Sequence, residues 1–222
     1  MRKVQLLVVS FVAVAATACN FDFNSGITGI KGSGKVVSES RSVAGFTGVS
    51  LKGTGQLLID TNGTESLEIT GDDNLLPEIT SEIKGGELVL GTKDNGNISP
   101  SKELIYKLSA KTLDSIELAG SGEIDAKGIN TSRLKVLLGG SGNISAAGTT
   151  ERQEVTIAGS GNYRGENLKT KASTVSIAGS GDADVDASEK LDVTVAGSGS
   201  VKYTGDPMVT KNIMGSGSVD KR

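Results

Sequence analysis

Apolar and polar residues alternate at regular intervals along the second half of the chain. Apolar residues stand four and two positions before the first five Gly-Ser-Gly motifs of this half, with a mostly polar residue between them, as in Ile116-Glu117-Leu118 and Val155-Thr156-Ile157. This period of two is typical of a β-strand with one buried face. A polar and then an apolar residue usually follow each motif, as in Glu123-Ile124, so a second short strand is predicted after each turn.

The motif itself recurs at intervals of 18 to 20 residues. Its copies begin at Gly120, Gly140, Gly159, Gly179, Gly197 and Gly215. A unit of this length cannot bury its own apolar face. When units stack, equivalent residues of successive coils lie above one another at a spacing of about 4.8 Å. The pattern therefore predicts an all-β fold, a parallel β-solenoid with ladders of Val and Ile inside.

The motif glycines are predicted to form the corners of the coils, where the backbone needs angles that a side chain forbids. A looser copy of the pattern at residues 49–57 adds two more. The predicted turn glycines are Gly53, Gly55, Gly120, Gly122, Gly140, Gly142, Gly159, Gly161, Gly179, Gly181, Gly197, Gly199, Gly215 and Gly217. The alternative, a glycine-rich phosphate site, requires the loop to begin a helix, whereas each of these loops begins a strand.

The first half of the chain carries less regular signals. Further strands are predicted at residues 67–69, 88–90 and 105–108, separated by turn clusters. We expect this half to wind in the same sense as the second, with longer excursions, and Leu75-Leu76-Pro77 to close one end. A separate domain is the alternative, but no linker divides residues 41–222.

The N-terminus has the pattern of an export signal. Arg2 and Lys3 precede an apolar run, and small residues lead to Cys19, the chain's only cysteine. The run of about 13 residues is too short for a helix that spans a membrane, which needs about 20. The arrangement resembles a bacterial lipoprotein signal, which implies a signal peptide at residues 1–18 and lipidation of Cys19. An ordinary secretory signal with a coincidental cysteine and a buried N-terminal helix are the alternatives. Residues 19–40 are predicted to be an acylated tether, and residues 41–222 the solenoid domain.

Composition excludes several classes of function. The chain has 31 Gly, no His and one Cys, so it lacks the commonest general base and zinc ligand and cannot form an internal disulfide. The net charge of −3 has the wrong sign for binding a phosphate backbone, and no nucleic-acid partner is expected. Sugar recognition through aromatic faces would depend on Tyr106, Tyr163 or Tyr203, of which Tyr163 falls in an inward column.

One strand carries a candidate metal site. Asp182, Asp184 and Asp186 alternate, so their carboxylates share one face, and Ca²⁺ prefers oxygen ligands. The equivalent positions of other coils do not repeat these acids, so a solvated acidic face is favoured and no metal or cofactor is expected. β-Helix polysaccharide lyases pair such carboxylates with a basic residue, for which Arg133, Arg152 and Arg164 are candidates.

Several segments together resemble the head GIN domain family of "putative autotransporter adhesins". The resemblance is carried by residues 41–46, 49–55, 66–69, 73–76 and 85–88, by the Gly-Ser-Gly ladder and by the closing residues 203–207. It covers residues 41–222 and implies a right-handed single-stranded β-helix, often on a lipoprotein. It supplies no catalytic residues.

These observations predict a non-catalytic binding, adhesion or structural module, exported and held in the cell envelope. We expect an outer-membrane lipoprotein of a gram-negative bacterium, which contacts the membrane through its lipid anchor and binds an unidentified protein or polysaccharide. A carbohydrate-active β-helix enzyme of the polysaccharide lyase type is the alternative. We also expect a monomer, because Lys211 and the charged residues 220–222 would guard the open last coil against pairing.

Overall fold

The computed structural model describes residues 29–222, which are almost entirely β-structure. The strands of the first half are β1 (Ile30–Lys31), β2 (Val36–Arg41), β3 (Gly48–Gly53), β4 (Gln56–Thr61), β5 (Ser66–Asp72), β6 (Ile79–Lys84), β7 (Glu87–Thr92), β8 (Ile98–Ser99), β9 (Ile105–Ala110) and β10 (Ser115–Gly120). The second half contains β11 (Glu123–Gly140), β12 (Asn143–Gly159), β13 (Asn162–Gly179), β14 (Asp182–Asp186), β15 (Lys190–Gly197), β16 (Ser200–Thr204), β17 (Met208–Gly215) and β18 (Ser218–Lys221). Short 3₁₀ turns lie at Leu76–Glu78 and Lys93–Asn95.

The second half is a parallel β-solenoid, as the repeat predicts. Each coil pairs with the next in register, so that Gly140 lies opposite Gly120 on one side and Gly159 on the other. The same pairing continues through β13, β15 and β17. The stacked coils make a solenoid of about five turns.

The interior consists of aliphatic ladders. Val136, Val155 and Val175 stack in one column, and all three are fully buried. Tyr163 also faces inward, as its column predicts, and its hydroxyl donates a hydrogen bond to Gln153 Oε1 at 3.0 Å. Desolvation raises the pKa of this hydroxyl, which therefore remains a donor.

The first half departs from the predicted winding. Strands lie where the pattern predicts them, in β5, β7 and β9, but β5 runs antiparallel to both β2 and β9, and β6 runs antiparallel to β7. The expectation of a single winding sense is therefore wrong for β2, β5 and β6, whereas β3 and β4 pair in parallel with β10 and β11 as the looser copy of the pattern predicts. In the β6–β7 hairpin the reason is local, because Gly85 and Gly86 both have positive φ and reverse the chain within two residues. Leu75 and Leu76, which were expected to close one end, are buried.

The folded region begins before the predicted boundary at residue 41. β1 pairs in parallel with β8, and β2 pairs along its whole length with β5, so residues 30–40 are not a free tether. The predicted signal peptide, Cys19 and the start of the predicted tether lie outside the described residues.

A buried carboxylate fixes the entering segment. Asp72 is fully buried and accepts hydrogen bonds from the Gly34 N–H, the Ser101 N–H and the Ser101 hydroxyl at 2.5 to 2.8 Å. These bonds, with the Ser101 hydroxyl first, hold the pKa of Asp72 below its usual range. The polar Gly32-Ser33-Gly34 stretch resembles a linker in sequence but is a docked segment in the structure.

Candidate binding surface

The Gly-Ser-Gly corners form one straight edge of the solenoid. The first glycines of the motifs, and both Gly53 and Gly55, have positive φ. The second glycines, Gly122, Gly142, Gly161, Gly181, Gly199 and Gly217, lie so close to the preceding coil that a Cβ atom would stand 2.1 to 2.8 Å from a glycine carbonyl oxygen. Each serine N–H between them donates to the first glycine of the preceding coil at 2.9 to 3.1 Å. The corner is therefore closed by main-chain contacts, and only the serine side chains point outward.

An exposed column of hydroxyl groups results. It consists of Thr54, Ser121, Ser141, Ser160, Ser180, Ser198 and Ser216. Because neighbouring coils are hydrogen-bonded in register, successive hydroxyls stand about 4.8 Å apart. The sequence pattern treated these serines only as part of a turn.

The three aspartates of the acidic strand have separate partners. Asp182 accepts a hydrogen bond from the Ser200 N–H at 2.8 Å, and Asp184 pairs with Arg222 at 3.1 Å. Asp186 is buried and binds Lys169 at 2.9 Å and the Thr204 hydroxyl at 2.7 Å. Each of the three carboxylates therefore has its own hydrogen-bond or ion-pair partner within the protein. Within residues 29–222, no three acidic, Cys or His side chains gather closely enough to hold a metal ion.

The three candidate arginines lie in two different columns. Arg164 stands opposite Asp184 in the pairing of β13 with β14, and both line a cavity of about 180 Å³. Arg133 and Arg152 pair with each other in another column, and Arg133 forms an ion pair with Glu154 at 2.9 Å. The structure therefore brings one of the three arginines to the aspartates, which the spacing alone did not indicate.

A larger groove lies on the side of the first coils. Its volume is about 610 Å³, and Leu58 lines it together with two ion pairs. These pairs are Lys107 with Glu68 at 3.1 Å and Lys127 with Asp125 at 2.8 Å. These four charges are matched within the chain, while Asp60, which also lines the groove, accepts a hydrogen bond from the Asn62 side-chain amide at 3.3 Å.

A cavity of about 350 Å³ lies where the hydroxyl column meets the first coils. Thr54 and Ser121 belong to both the column and the cavity, and Thr92 and residues 96–98 form another wall. Tyr106 lines it from the interior and is 2% exposed. Sequence reasoning missed this site because the loop between β7 and β8 is held by the pairing of β8 with β1, two-residue strands that have no periodic pattern. Of its lining residues, the sequence indicated only Tyr106, as an aromatic residue, and Gly53 and Gly120, as turn glycines.

Comparisons with known proteins agree with this architecture. A family model described as "Putative auto-transporter adhesin, head GIN domain" matches residues 45–207. The fold is similar to the crystal structure of a putative adhesin from Bacteroides fragilis, at 24% identity over 87% of this chain and 100% of that one, with a TM-score of 0.69. A putative lipid binding protein from Parabacteroides distasonis has a similar fold, at 23% identity over 87% of this chain and 99% of that one, with a TM-score of 0.53. A putative adhesin from Parabacteroides merdae matches at 20% identity over 87% of this chain and 98% of that one, with a TM-score of 0.55. No curated protein matches the chain.

Proposed function

Because the chain belongs to the family described as "Putative auto-transporter adhesin, head GIN domain", we propose that its solenoid is a non-catalytic binding module of an exported, envelope-anchored protein. The observation that carries the proposal is the exposed hydroxyl column on a main-chain corner. It offers a long, rigid surface whose polar groups repeat at a fixed spacing. Such a surface suits contact with an extended partner, and the names of the similar structures, mostly putative adhesins, are compatible with this role.

An adhesion assay with two readouts tests the proposal. The full chain is coated on beads, and the beads are incubated with polysaccharide and protein fractions of a bacterial envelope. We expect saturable retention of one fraction, with the size of any retained polysaccharide unchanged. Retention of nothing above uncoated beads would contradict a binding function.

The second candidate is a carbohydrate-active enzyme, because Arg164 and Asp184 share a cavity. A lyase would shorten the polysaccharide and produce unsaturated ends that absorb ultraviolet light. Appearance of such ends, and their loss in Arg164→Ala, would replace the binding proposal with the enzymatic one.

The anchor is the other part of the proposal. Cys19 follows an apolar run and small residues, which is the pattern of a lipoprotein signal. Acyl chains contribute about 0.8 kcal/mol per buried methylene, so several chains would hold the protein at a membrane. We expect labelled fatty acid to enter the wild-type chain and not Cys19→Ala, which would leave the membrane fraction. Equal labelling of the two proteins would disprove the anchor.

Within residues 29–222, no helix has the length and apolar character needed to cross a membrane.

A further inference from the structure

The 350 Å³ cavity beside the hydroxyl column has the dimensions of a ligand site. Its volume is at the small end of the range of about 300 to 1,000 Å³ that ligand sites occupy. Ile98 supplies an apolar side chain to its lining, and Tyr106 supplies a buried aromatic one. A compact ligand with both polar and apolar faces would fit this lining.

The polar side chains of the cavity differ in their partners, and the Thr92 hydroxyl already donates a hydrogen bond to Gly96 O at 2.8 Å. Thr54, Asn97 and Ser121 also line the cavity, and their side chains make no hydrogen bond to any side chain or main chain that the structure describes, which leaves aside the side chain of Asn95. The Tyr106 hydroxyl likewise has no partner there, and its oxygen keeps accessible surface although the residue is 2% exposed. This hydroxyl is therefore available to a group that enters the cavity.

The Tyr106 hydroxyl is held as a donor. Burial raises its pKa to about 12, so the group stays protonated at neutral pH. It can therefore donate to an oxygen atom of a ligand, while the hydroxyls of Thr54 and Ser121 can donate or accept. This mixture of groups matches the hydroxyl groups of a sugar ring.

Lys52 gives the cavity its charge. It is the only charged residue in the lining, and no carboxylate of residues 29–222 lies within ion-pair distance of its ammonium group. Lys52 also lines a neighbouring cavity of about 400 Å³ with Glu82 and Asp94, and its charge acts on the Glu87 carboxylate at longer range. The cavity thus presents one positive charge and no negative charge.

We infer that this cavity binds an anionic sugar unit, with Lys52 on its carboxylate and Tyr106, Thr54, Asn97 and Ser121 on its hydroxyl groups. The inference deepens the proposed binding function and rests on it, because it names a ligand class for one end of the hydroxyl column. A longer glycan would leave the cavity past Ser121.

Calorimetric titration of the full chain in detergent tests the inference. The probes are galacturonate, galactose as its neutral counterpart, and inorganic phosphate as an anion without a ring. We expect galacturonate to bind at least about tenfold more tightly than galactose, which corresponds to about 1.4 kcal/mol for the charge-assisted contact. Phosphate should bind more weakly than galacturonate.

Two variants and a control locate the site. Lys52→Gln should weaken galacturonate about tenfold and leave galactose unchanged, whereas Tyr106→Phe should weaken both sugars. Lys202→Gln, which removes an exposed lysine from the smaller 180 Å³ cavity, should change neither. Because Lys52 is exposed and Tyr106→Phe keeps the ring, both variants should fold, which their circular dichroism spectra would verify.

Three results would overturn the inference. These are the absence of saturable galacturonate binding, binding that Lys52→Gln leaves intact, and phosphate binding as tight as that of galacturonate. If the beads of the adhesion assay retain an envelope fraction equally well with wild type and Lys52→Gln, the binding function stands and the cavity assignment fails. If nothing is retained and galacturonate still binds, the adhesion proposal fails instead.

Discussion

Replacing Gly159 with alanine should destabilise the solenoid, and the same change at Gly139 should not. Gly159 is the first glycine of a corner motif, with a φ of +133°, and an added Cβ would stand 2.2 Å from the carbonyl oxygen of Gly140 in the preceding coil. Gly139 lies in the column that Ala158 and Ala178 occupy in the next coils. A Cβ there would find its nearest atom, Leu118 O, at 3.8 Å.

The cost at Gly159 has two parts. A side chain in this backbone region carries strain of about 1 to 3 kcal/mol. The Gly140 carbonyl must also move, and it accepts hydrogen bonds from the Ser160 and Gly161 N–H groups at 2.9 and 3.2 Å. Each weakened bond costs up to about 1 kcal/mol. The two parts together predict a loss of about 1 to 5 kcal/mol for Gly159→Ala, which is substantial against a typical stability of about 5 to 15 kcal/mol.

Urea unfolding followed by circular dichroism measures both variants against the wild type. Gly139→Ala should lie within about 1 kcal/mol of the wild type, on the stabilising side, because alanine reduces the freedom of the unfolded chain. A Gly159→Ala variant within about 1 kcal/mol of wild type would refute the argument. Equal losses for the two variants would also refute it, because contact geometry would then not decide the cost.

Two further predictions concern the core and the open end. Ile157→Asp should prevent folding of the whole domain, since Ile157 is fully buried and an unpaired charge in an apolar interior costs several kcal/mol. An unchanged thermal melting curve would contradict this prediction. We expect the wild-type chain to be monomeric and Lys211→Val, combined with deletion of residues 220–222, to promote end-to-end association, because Lys211 occupies the rung after the buried Val193 and is exposed. Sedimentation velocity at micromolar concentration would decide, and a tight wild-type dimer or a variant that stays monomeric would count against the role of these charges.

The repeat made the second half of the fold predictable. Each of its coils has the same strand pattern and the same corner, so the alternation around Val155 and Ile157 is enough to assign the buried face. In this half the local sequence pattern and the stacking of the coils favour the same structure, and the register between coils follows from the motif spacing. Tyr163 shows the same consistency, because its column alone indicates that it is buried.

The first half and the cavity could not be predicted in the same way. The pairing of β2 with β5 joins segments about 30 residues apart, and the alternation of Leu67 and Ile69 in β5 does not distinguish antiparallel from parallel pairing. The docking of residues 30–34 depends on Asp72, whose burial arises from tertiary contacts with Ser101. Lys52 and Asn97 both line the cavity only because the pairing of β1 with β8 holds the loop between β7 and β8 in place.

The clamp around Asp72 also has a mechanical consequence. Asp73 and Asn74 extend it, since the Ser33 hydroxyl donates to Asp73 at 2.6 Å and Asn74 bonds to both Ser33 N and Lys31 O at 2.8 Å. Tension applied to the chain before residue 29 would reach these few hydrogen bonds before any coil of the solenoid. The segment would peel away first, lengthen the connection and relax the force, while the stacked coils and their outer surface keep their shape.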